Sequence, residues 1–174
     1  MPTYDTALVY PGGCLVEGTN LSEARGTTRP FELVGAPWLD GERLAGDLAS
    51  ADLPGAVFRA VTFQPMFQKH AKALCGGVQV HVTDASSFLP YATYLALIGF
   101  AQRQNPEAFR FRTERYEFID TIPAFDLLTG NAEAREAILR GDDVRAMAMR
   151  LSDPTDGGRE IVARARQALE RLSR

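Results

Sequence analysis

The sequence predicts an α+β domain, with a short α/β layer as the alternative, in which a mixed β-sheet packs against helices. Val57–Phe63 and Val78–Thr83 both alternate apolar and polar residues, as half-buried strands do. Helical patterns are interspersed with these strands in no regular order, which favours a sheet packed on helices. With 174 residues and 45% hydrophobic content, the chain can bury one core, so we predict a single domain over residues 1–174.

The N-terminal pattern predicts a short strand over Thr6–Tyr10 (TALVY). Pro11-Gly12-Gly13 is expected to end it, because proline lacks a backbone donor and glycine permits turn dihedrals. Polar residues and glycine dominate 17–37 without periodicity, which predicts a long loop. Long ordered loops are often functional.

A helix is predicted from Asp40, as its N-cap, to about Ala51, with Leu44 and Leu48 four residues apart on one face. The segment 63–74 fits either a short helix or an irregular stretch, and the sequence leaves the two open.

A second helix is predicted to start at a cap on Ser86 or Ser87 and to reach about Gln104, with Pro90 in its first turn. It is apolar nearly all round, so we expect a central, buried helix. Alternation at 109–112 predicts a further strand, which Tyr116–Ile119 extends or follows. Three helices are expected to close the chain, the first two capped by Asn131 and Asp142 and the last over Gly158–Leu172.

Composition argues against several functions. The 19 basic and 22 acidic residues are spread along the chain and give a net charge of -3, so a nucleic-acid partner is not expected. No apolar run approaches the ~20 residues of a membrane-spanning helix. The first five residues carry neither a basic nor an apolar region, so no secretion signal is expected in this chain. Dinucleotide, P-loop and serine-hydrolase signatures are missing from the sequence.

The two cysteines, Cys14 and Cys75, form no C-x-x-C pair, and the chain has two histidines. This composition gives poor support to a zinc site, and no metal is predicted. Two buried free thiols are expected, with a single disulfide as the alternative.

The loop segment 17–32 (EGTNLSEARGTTRPFE) concentrates groups that bind polar ligands. Hydroxyls, an amide and guanidiniums can hold a polyhydroxylated ligand, and an arginine can bind a carboxylate through two parallel hydrogen bonds. The alternative is a self-satisfied loop, in which Glu23 pairs with Arg25 or Arg29 and the hydroxyls bond the backbone.

Five strings resemble one known family. They are VYPGGCLVEGTNLSEARGTTRPFELVGAPWLDG from Val9, FQPMFQKH from Phe63, CGGVQVHVTD from Cys75, PYATYLALI from Pro90 and PAFDLLTG from Pro123. Together they cover nearly the whole chain, and they resemble the C-terminal domain of exo-β-N-acetylmuramidases of the NamZ type. Ala24 departs from the family pattern, which has glycine there, and this changes the loop if that position needs a positive φ.

The resemblance implies a two-domain enzyme, in which an N-terminal Rossmann-like catalytic domain, not found in this chain, packs beside a domain like this one. It implies release of N-acetylmuramic acid from non-reducing ends of peptidoglycan fragments, without an organic cofactor. The expected partners are muramyl saccharides and that N-terminal domain, and the parent enzyme is expected to be secreted or periplasmic. This chain would supply one wall of the site.

Glycoside hydrolysis generally needs two carboxylates, and Glu17 and Glu23 are the candidate catalytic pair, with ligand contact or interdomain structure as the alternative roles. Arg25 and Arg29 are candidates for carboxylate recognition, against ordinary salt bridges. The other candidate substrate-binding residues are Asn20, Ser22, Thr27, Thr28 and His81. Asn20 fits a cap on the loop's own backbone equally well, and for His81 a structural hydrogen bond is favoured.

Three functions remain open from the sequence. The first is an accessory domain of a peptidoglycan glycosidase that contributes substrate-binding residues. The second is a standalone carbohydrate-binding or protein-interaction module, and the third is a minimal hydrolase that uses Glu17 and Glu23.

Overall fold

The computed structural model describes residues 2–153 and the single positions 163, 164, 167 and 171. The predicted last helix, Gly158–Leu172, therefore lies outside the continuously described part of the chain. The elements are α1 (Tyr4–Gly13), a 3₁₀ helix (Cys14–Gly18), β1 (Leu33–Ala36), α2 (Gly41–Ser50), β2 (Ala56–Phe63), β3 (Cys75–Val82), α3 (Pro90–Gln104), α4 (Ala124–Thr129), α5 (Glu133–Arg140) and α6 (Val144–Ser152).

The three strands form one sheet in the order β1-β3-β2, and the α+β class is confirmed. Both pairings are antiparallel. The sequence suggested a sheet with parallel and antiparallel neighbours, and among the described residues the strands pair in the antiparallel direction. β2 and β3 confirm the two predicted strands. β1 lies inside the segment predicted as loop, and its four residues become a strand by pairing with β3.

One face of the sheet lies on the core, where Val34 and Val78 are fully buried. Helix α3 crosses this core and packs against α1, α2 and α6, which confirms the predicted central helix. It begins at Pro90 rather than at a serine cap. Ser86 and Ser87 instead donate their hydroxyls to the carboxylate of Asp84, at 2.7 Å each.

The predicted strand over Thr6–Tyr10 is wrong, since these residues lie in α1. Thr3 caps the helix, with Oγ1 accepting from the Thr6 N–H at 3.1 Å. Pro11 and the two glycines continue the helix instead of ending it. At Gly12 the helix lies directly on the backbone of Pro90, so there is no room for a side chain. This close helix contact, rather than a turn, accounts for the glycine.

The predicted strand at 109–112 is also wrong. Phe111 forms one isolated bridge with Thr19, and Tyr116 and Ile119 close a turn. The expected closing helices after 130 are α5 and α6, and α4 precedes them. Asn131 Oδ1 accepts from the Glu133 N–H at 2.9 Å, close to its predicted capping role, whereas Asp143 rather than Asp142 caps α6.

Four glycines mark a place where backbones touch. A Cβ on Gly35, Gly41, Gly76 or Gly77 would overlap a carbonyl oxygen of a neighbouring segment. Gly41 and Gly76 lie where the chain that follows β1 passes over the start of β3, and Gly35 and Gly77 are paired between β1 and β3, each at a distance that only glycine allows.

Cys14 and Cys75 are both free thiols, as the sequence favoured; Cys75 is buried as predicted, whereas Cys14 is half-buried. Within the described residues, no cluster of three or more histidine, cysteine, aspartate or glutamate side chains is arranged to hold a metal ion. None of the described helices is both long and apolar enough to cross a bilayer.

A charged cavity beside the polar loop

A cavity of about 670 Å³ opens beside the loop that the sequence singled out. Three segments build its wall: the loop itself, the irregular stretch between β2 and β3, and the stretch that follows α3. The lining residues are Glu17, Glu23, Arg25, Gln68, Lys69, Arg112, Glu114, Tyr116 and Glu117. The predicted residues Glu17, Glu23 and Arg25 are thus brought together in one site.

Arg25 bridges the two glutamates. Its Nη2 donates to Glu17 Oε1 at 2.6 Å, and its Nε donates to Glu23 Oε1 at 2.5 Å. The same guanidinium lies 5.2 Å from the ring centroid of Phe31, within cation–π range. With two carboxylates and an aromatic face around it, the Arg25 side chain is held in one orientation.

Lys69 holds the second oxygen of Glu23. Its Nζ lies 2.8 Å from Glu23 Oε2 and donates to the backbone oxygens of Val16 at 2.8 Å and Thr19 at 3.1 Å. The ammonium therefore forms two hydrogen bonds to backbone oxygens and an ion pair with the Glu23 carboxylate. Lys69 ties the segment between β2 and β3 to the 3₁₀ helix and its following residue.

The ionisation of these groups follows from their contacts. Burial acts to raise the pKa of Glu23, but the Lys69 and Arg25 cations outweigh it, so the pKa lies below its ordinary value. Burial lowers the pKa of Lys69 even though Glu23 acts to raise it. Burial alone would lower the pKa of Arg25, but its bond to Glu23 raises it. Glu23 is thus a carboxylate at neutral pH.

Glu17 stands at the open side of the cavity. Its Oε2 accepts a hydrogen bond from the Tyr116 hydroxyl at 2.9 Å. Burial and the bond to Glu17 raise the pKa of Tyr116 well above its ordinary value, so the phenol stays protonated and remains a donor. Arg112 is held next to the pair by its backbone N–H, which donates to Gly18 O at 2.9 Å.

The two glutamates differ in access. The Glu17 side chain is 19% exposed, and that of Glu23 is 2% exposed. A ligand in the cavity can contact Glu17, Tyr116 and Arg112, whereas Glu23 lies behind Arg25 and Lys69. The cavity therefore offers cationic and hydroxyl donors together with carboxylate acceptors, which suits a polyhydroxylated ligand.

Other predicted residues serve the loop itself, as the alternative interpretation held. Asn20 accepts from the Arg110 N–H at 2.9 Å and donates to Ala108 O at 2.8 Å. Ser22 Oγ accepts from the Ala24 N–H, and the Thr27 hydroxyl donates to Ala24 O. None of these three side chains is among those that line the cavity.

Thr28, Arg29 and His81 lie elsewhere. They line a second concavity, of about 550 Å³, on the outer face of the sheet. The Arg29 guanidinium also pairs with the buried Glu32 carboxylate at 3.3 Å. The sequence therefore grouped residues that the fold divides between two separate sites.

The sequence reasoning missed Lys69, Arg112 and Tyr116. Each belongs to a segment distant in sequence from the loop, so local spacing gave no signal for them. The one available signal was the FQPMFQKH string, which carries Lys69 and was noted for its resemblance alone.

Solved structures support the fold. A DUF1343 family protein from Bacteroides fragilis NCTC 9343 matches with a TM-score of 0.67 at 25% identity, over 84% of this chain and 40% of that one. A second DUF1343 protein from the same organism matches with a TM-score of 0.53 at 24% identity, over 84% and 36% of the two chains, and supports the fold alone.

Sequence comparison adds the family. The chain is 45% identical over 144 residues to "Peptidoglycan beta-N-acetylmuramidase NamZ" of Bacillus subtilis (strain 168), a match that covers 83% of this chain and 33% of that protein. The chain thus spans about a third of the length of that curated relative. The family described as "Exo-beta-N-acetylmuramidase NamZ, C-terminal" matches residues 8–161. The resemblance seen in the sequence is confirmed, and the chain belongs to this C-terminal domain family of a peptidoglycan hydrolase.

Proposed function

We propose that this chain is an accessory domain of a peptidoglycan exo-β-N-acetylmuramidase and that its charged cavity helps to bind the non-reducing-end N-acetylmuramic acid. The observation that carries the proposal is the cavity in which Arg25, Arg112 and Tyr116 surround the exposed edge of Glu17. Its volume of about 670 Å³ lies within the range of ordinary small-molecule sites.

N-Acetylmuramic acid carries hydroxyls, an acetamido group and a lactyl carboxylate. Arginine guanidiniums bind such a carboxylate well, because their planar donors match its two oxygens. Glu17 can accept from sugar hydroxyls. Arg112 has the weaker contacts of the two guanidiniums in the cavity: its Nε lies 3.4 Å from the exposed Glu114 carboxylate, and its Nη1 donates to Glu17 O at 3.4 Å. We therefore assign it the lactyl carboxylate and assign Arg25 the support of Glu17.

The two glutamates have different roles in this proposal. Glu23 is a positioning residue, because Arg25 and Lys69 occupy both of its oxygens and its pKa is lowered, so it has no proton to give at neutral pH. Glu17 contacts ligand directly. Bond cleavage then needs further groups, which we assign to a cleft completed by the N-terminal Rossmann-like domain of the parent enzyme.

The test is a calorimetric titration of the 174-residue chain with a muramyl-glucosamine disaccharide, together with an assay for released N-acetylmuramic acid. We expect binding without turnover. Arg112→Gln should weaken binding about tenfold, since it removes a charged hydrogen-bond donor. Arg43→Gln is the matched control, because Arg43 is exposed on α2 and lines neither of the two sites.

Two results would overturn the proposal. Absence of disaccharide binding would remove the saccharide role from this domain. Turnover by the chain, lost in Glu17→Gln, would make it a hydrolase in its own right and would refute the accessory role.

A further inference from the structure

The second concavity, on the outer face of the sheet, differs in charge from the first. Its volume is about 550 Å³, and the two cavities share no lining residue. None of the residues that line it is acidic, although the chain as a whole has a net charge of -3. The loop residues Thr28 and Arg29 form one side, and the sheet forms the floor.

The sheet register places three residues in one row across that floor. Gln79 on the central strand is paired with Leu33 on one side and Arg59 on the other. Directly paired residues of an antiparallel sheet point to the same face. His81, two residues beyond Gln79, shares that face as well.

Gln79 has an unused donor at this place. The residue is 8% exposed, and its Oε1 accepts from Arg59 Nη2 at 2.5 Å. No described residue accepts a hydrogen bond from its side-chain nitrogen, although Gln79 lines the concavity. This nitrogen remains accessible from the concavity, so an oxygen supplied by a ligand can accept its hydrogen bond.

Arg59 is the cation without a carboxylate. Among the described residues it forms no salt bridge, and its side chain donates instead to the neutral Gln79 amide. Arg29, on the opposite side, is already balanced by Glu32 at 3.3 Å and Asp5 at 3.7 Å. The uncompensated charge of the concavity therefore sits on Arg59, next to the free Gln79 donor.

We propose that this concavity binds the carboxylate of a small organic acid, with Arg59 and the Gln79 amide as the donors. Two adjacent N–H donors suit the two oxygens of a carboxylate. Leu33 and Val61, which also line the site, contact the aliphatic carbon that carries the acid. The proposal stands on this site alone and does not rest on the function assigned to the first cavity.

Two kinds of ligand carry such a group: a lactyl ether, as in N-acetylmuramic acid, and an acidic peptide. The test is an NMR titration of the ¹⁵N-labelled chain with N-acetylmuramic acid in one arm and N-acetyl-Ala-Glu in the other. N-Acetylglucosamine and N-acetyl-Ala-Gln-amide are the uncharged controls. We expect an acid, but neither control, to shift the amide signals of Leu33, Arg59 and Gln79, and the arm that responds identifies the source.

Variants separate this site from the first cavity. Arg59→Gln should raise the dissociation constant of the acid, measured from the shifts of these amide signals, about tenfold or more. Gln79→Glu, which is nearly isosteric, should weaken it as strongly by placing a competing carboxylate beside Arg59. Arg43→Gln and Arg112→Gln should leave binding at these amides unchanged. Thermal melts of each variant confirm that it is folded.

The proposal is overturned if neither acid shifts these amides at about 10 mM, a concentration that reveals dissociation constants in the millimolar range. It is equally overturned if both folded variants, Arg59→Gln and Gln79→Glu, bind the acid as tightly as the parent chain.

Discussion

The Lys69 ammonium lies 2.8 Å from Glu23 Oε2, while Arg25 holds the other oxygen of the same carboxylate. Three parts of the chain meet in this contact, because Lys69 also reaches the backbone of Val16 and Thr19. The buried carboxylate of Glu23 thus holds the wall of the charged cavity together. This structural role can be tested by stability measurements without any ligand.

Glu23→Gln should destabilise the chain by about 3 kcal/mol, since it leaves Lys69 partly buried without its counter-charge. Urea unfolding measures the change. Glu114→Gln is the matched control: Glu114 lines the same cavity but its side chain is 72% exposed, so a change below about 0.5 kcal/mol is expected. Equal effects of the two substitutions would contradict the role given to Glu23.

The stability of the chain should fall in acid through Glu23. Its folded pKa lies below the ordinary value of 4.5, so the ion pair stabilises the fold above that value. The stabilisation is lost as the pH falls from 4.5 through the lower folded pKa. The unfolding free energies of the parent chain and Glu23→Gln should therefore converge over this range. A difference between them that stays constant with pH would argue against a stabilising ion pair at Glu23.

Asn20→Ala should destabilise the fold by about 2 kcal/mol, because it removes two hydrogen bonds to the backbone of 108–110. Disaccharide affinity should stay unchanged, since Asn20 does not line the charged cavity. Asn131→Ala, which loses one exposed bond at the start of α5, should cost less. A large loss of affinity in Asn20→Ala, without a loss of stability, would instead support its predicted role in ligand binding.

Ala24→Gly should leave stability nearly unchanged. Ala24 has a φ of 57°, which costs an alanine about 1–2 kcal/mol and a glycine almost nothing. The methyl group is fully buried, however, and its loss costs about 0.8 kcal/mol, with a further loss from the freer unfolded chain. These effects nearly cancel.

The matched control for this substitution is Ala101→Gly in α3, which is also fully buried. Ala101→Gly should lower the free energy of unfolding by about 2 kcal/mol, because the loss of the buried methyl group and the low helix propensity of glycine both destabilise the fold. Thermal and urea unfolding of both variants check the difference. Similar losses in the two variants would show that the positive φ of Ala24 carries no strain.

Elements with local signals were predictable from the sequence. Asp40 caps α2 as expected, accepting from the N–H groups of Glu42 and Arg43 at 3.0 and 3.1 Å. β2 and β3 were visible because one face of the sheet is less buried, which leaves an alternating pattern. α1 was missed because Pro11 and Gly12 are typical of a turn that ends a secondary-structure element. The contact with α3, which explains Gly12, is known only from the structure.

The site was predictable only in part. Glu17, Glu23 and Arg25 lie within one loop, and their residue types alone marked it. Lys69 and Arg112 reach the same place across 53 and 95 residues of sequence, through bonds to the backbone of Val16 and Glu17. Such contacts depend on the tertiary fold, and no spacing rule within a single sequence predicts them.

The glycines at 35, 41, 76 and 77 have a consequence for mutational surveys of this domain. Every substitution there forces two touching backbones apart, so a saturation scan should show a group of intolerant positions at these four glycines. Such intolerance to substitution would resemble that of catalytic residues, yet glycine has no side chain that could take part in a reaction. Intolerance at these glycines therefore reflects a steric requirement. Residues with chemical roles are instead those where a conservative replacement, such as Glu to Gln, alters activity while leaving the fold intact.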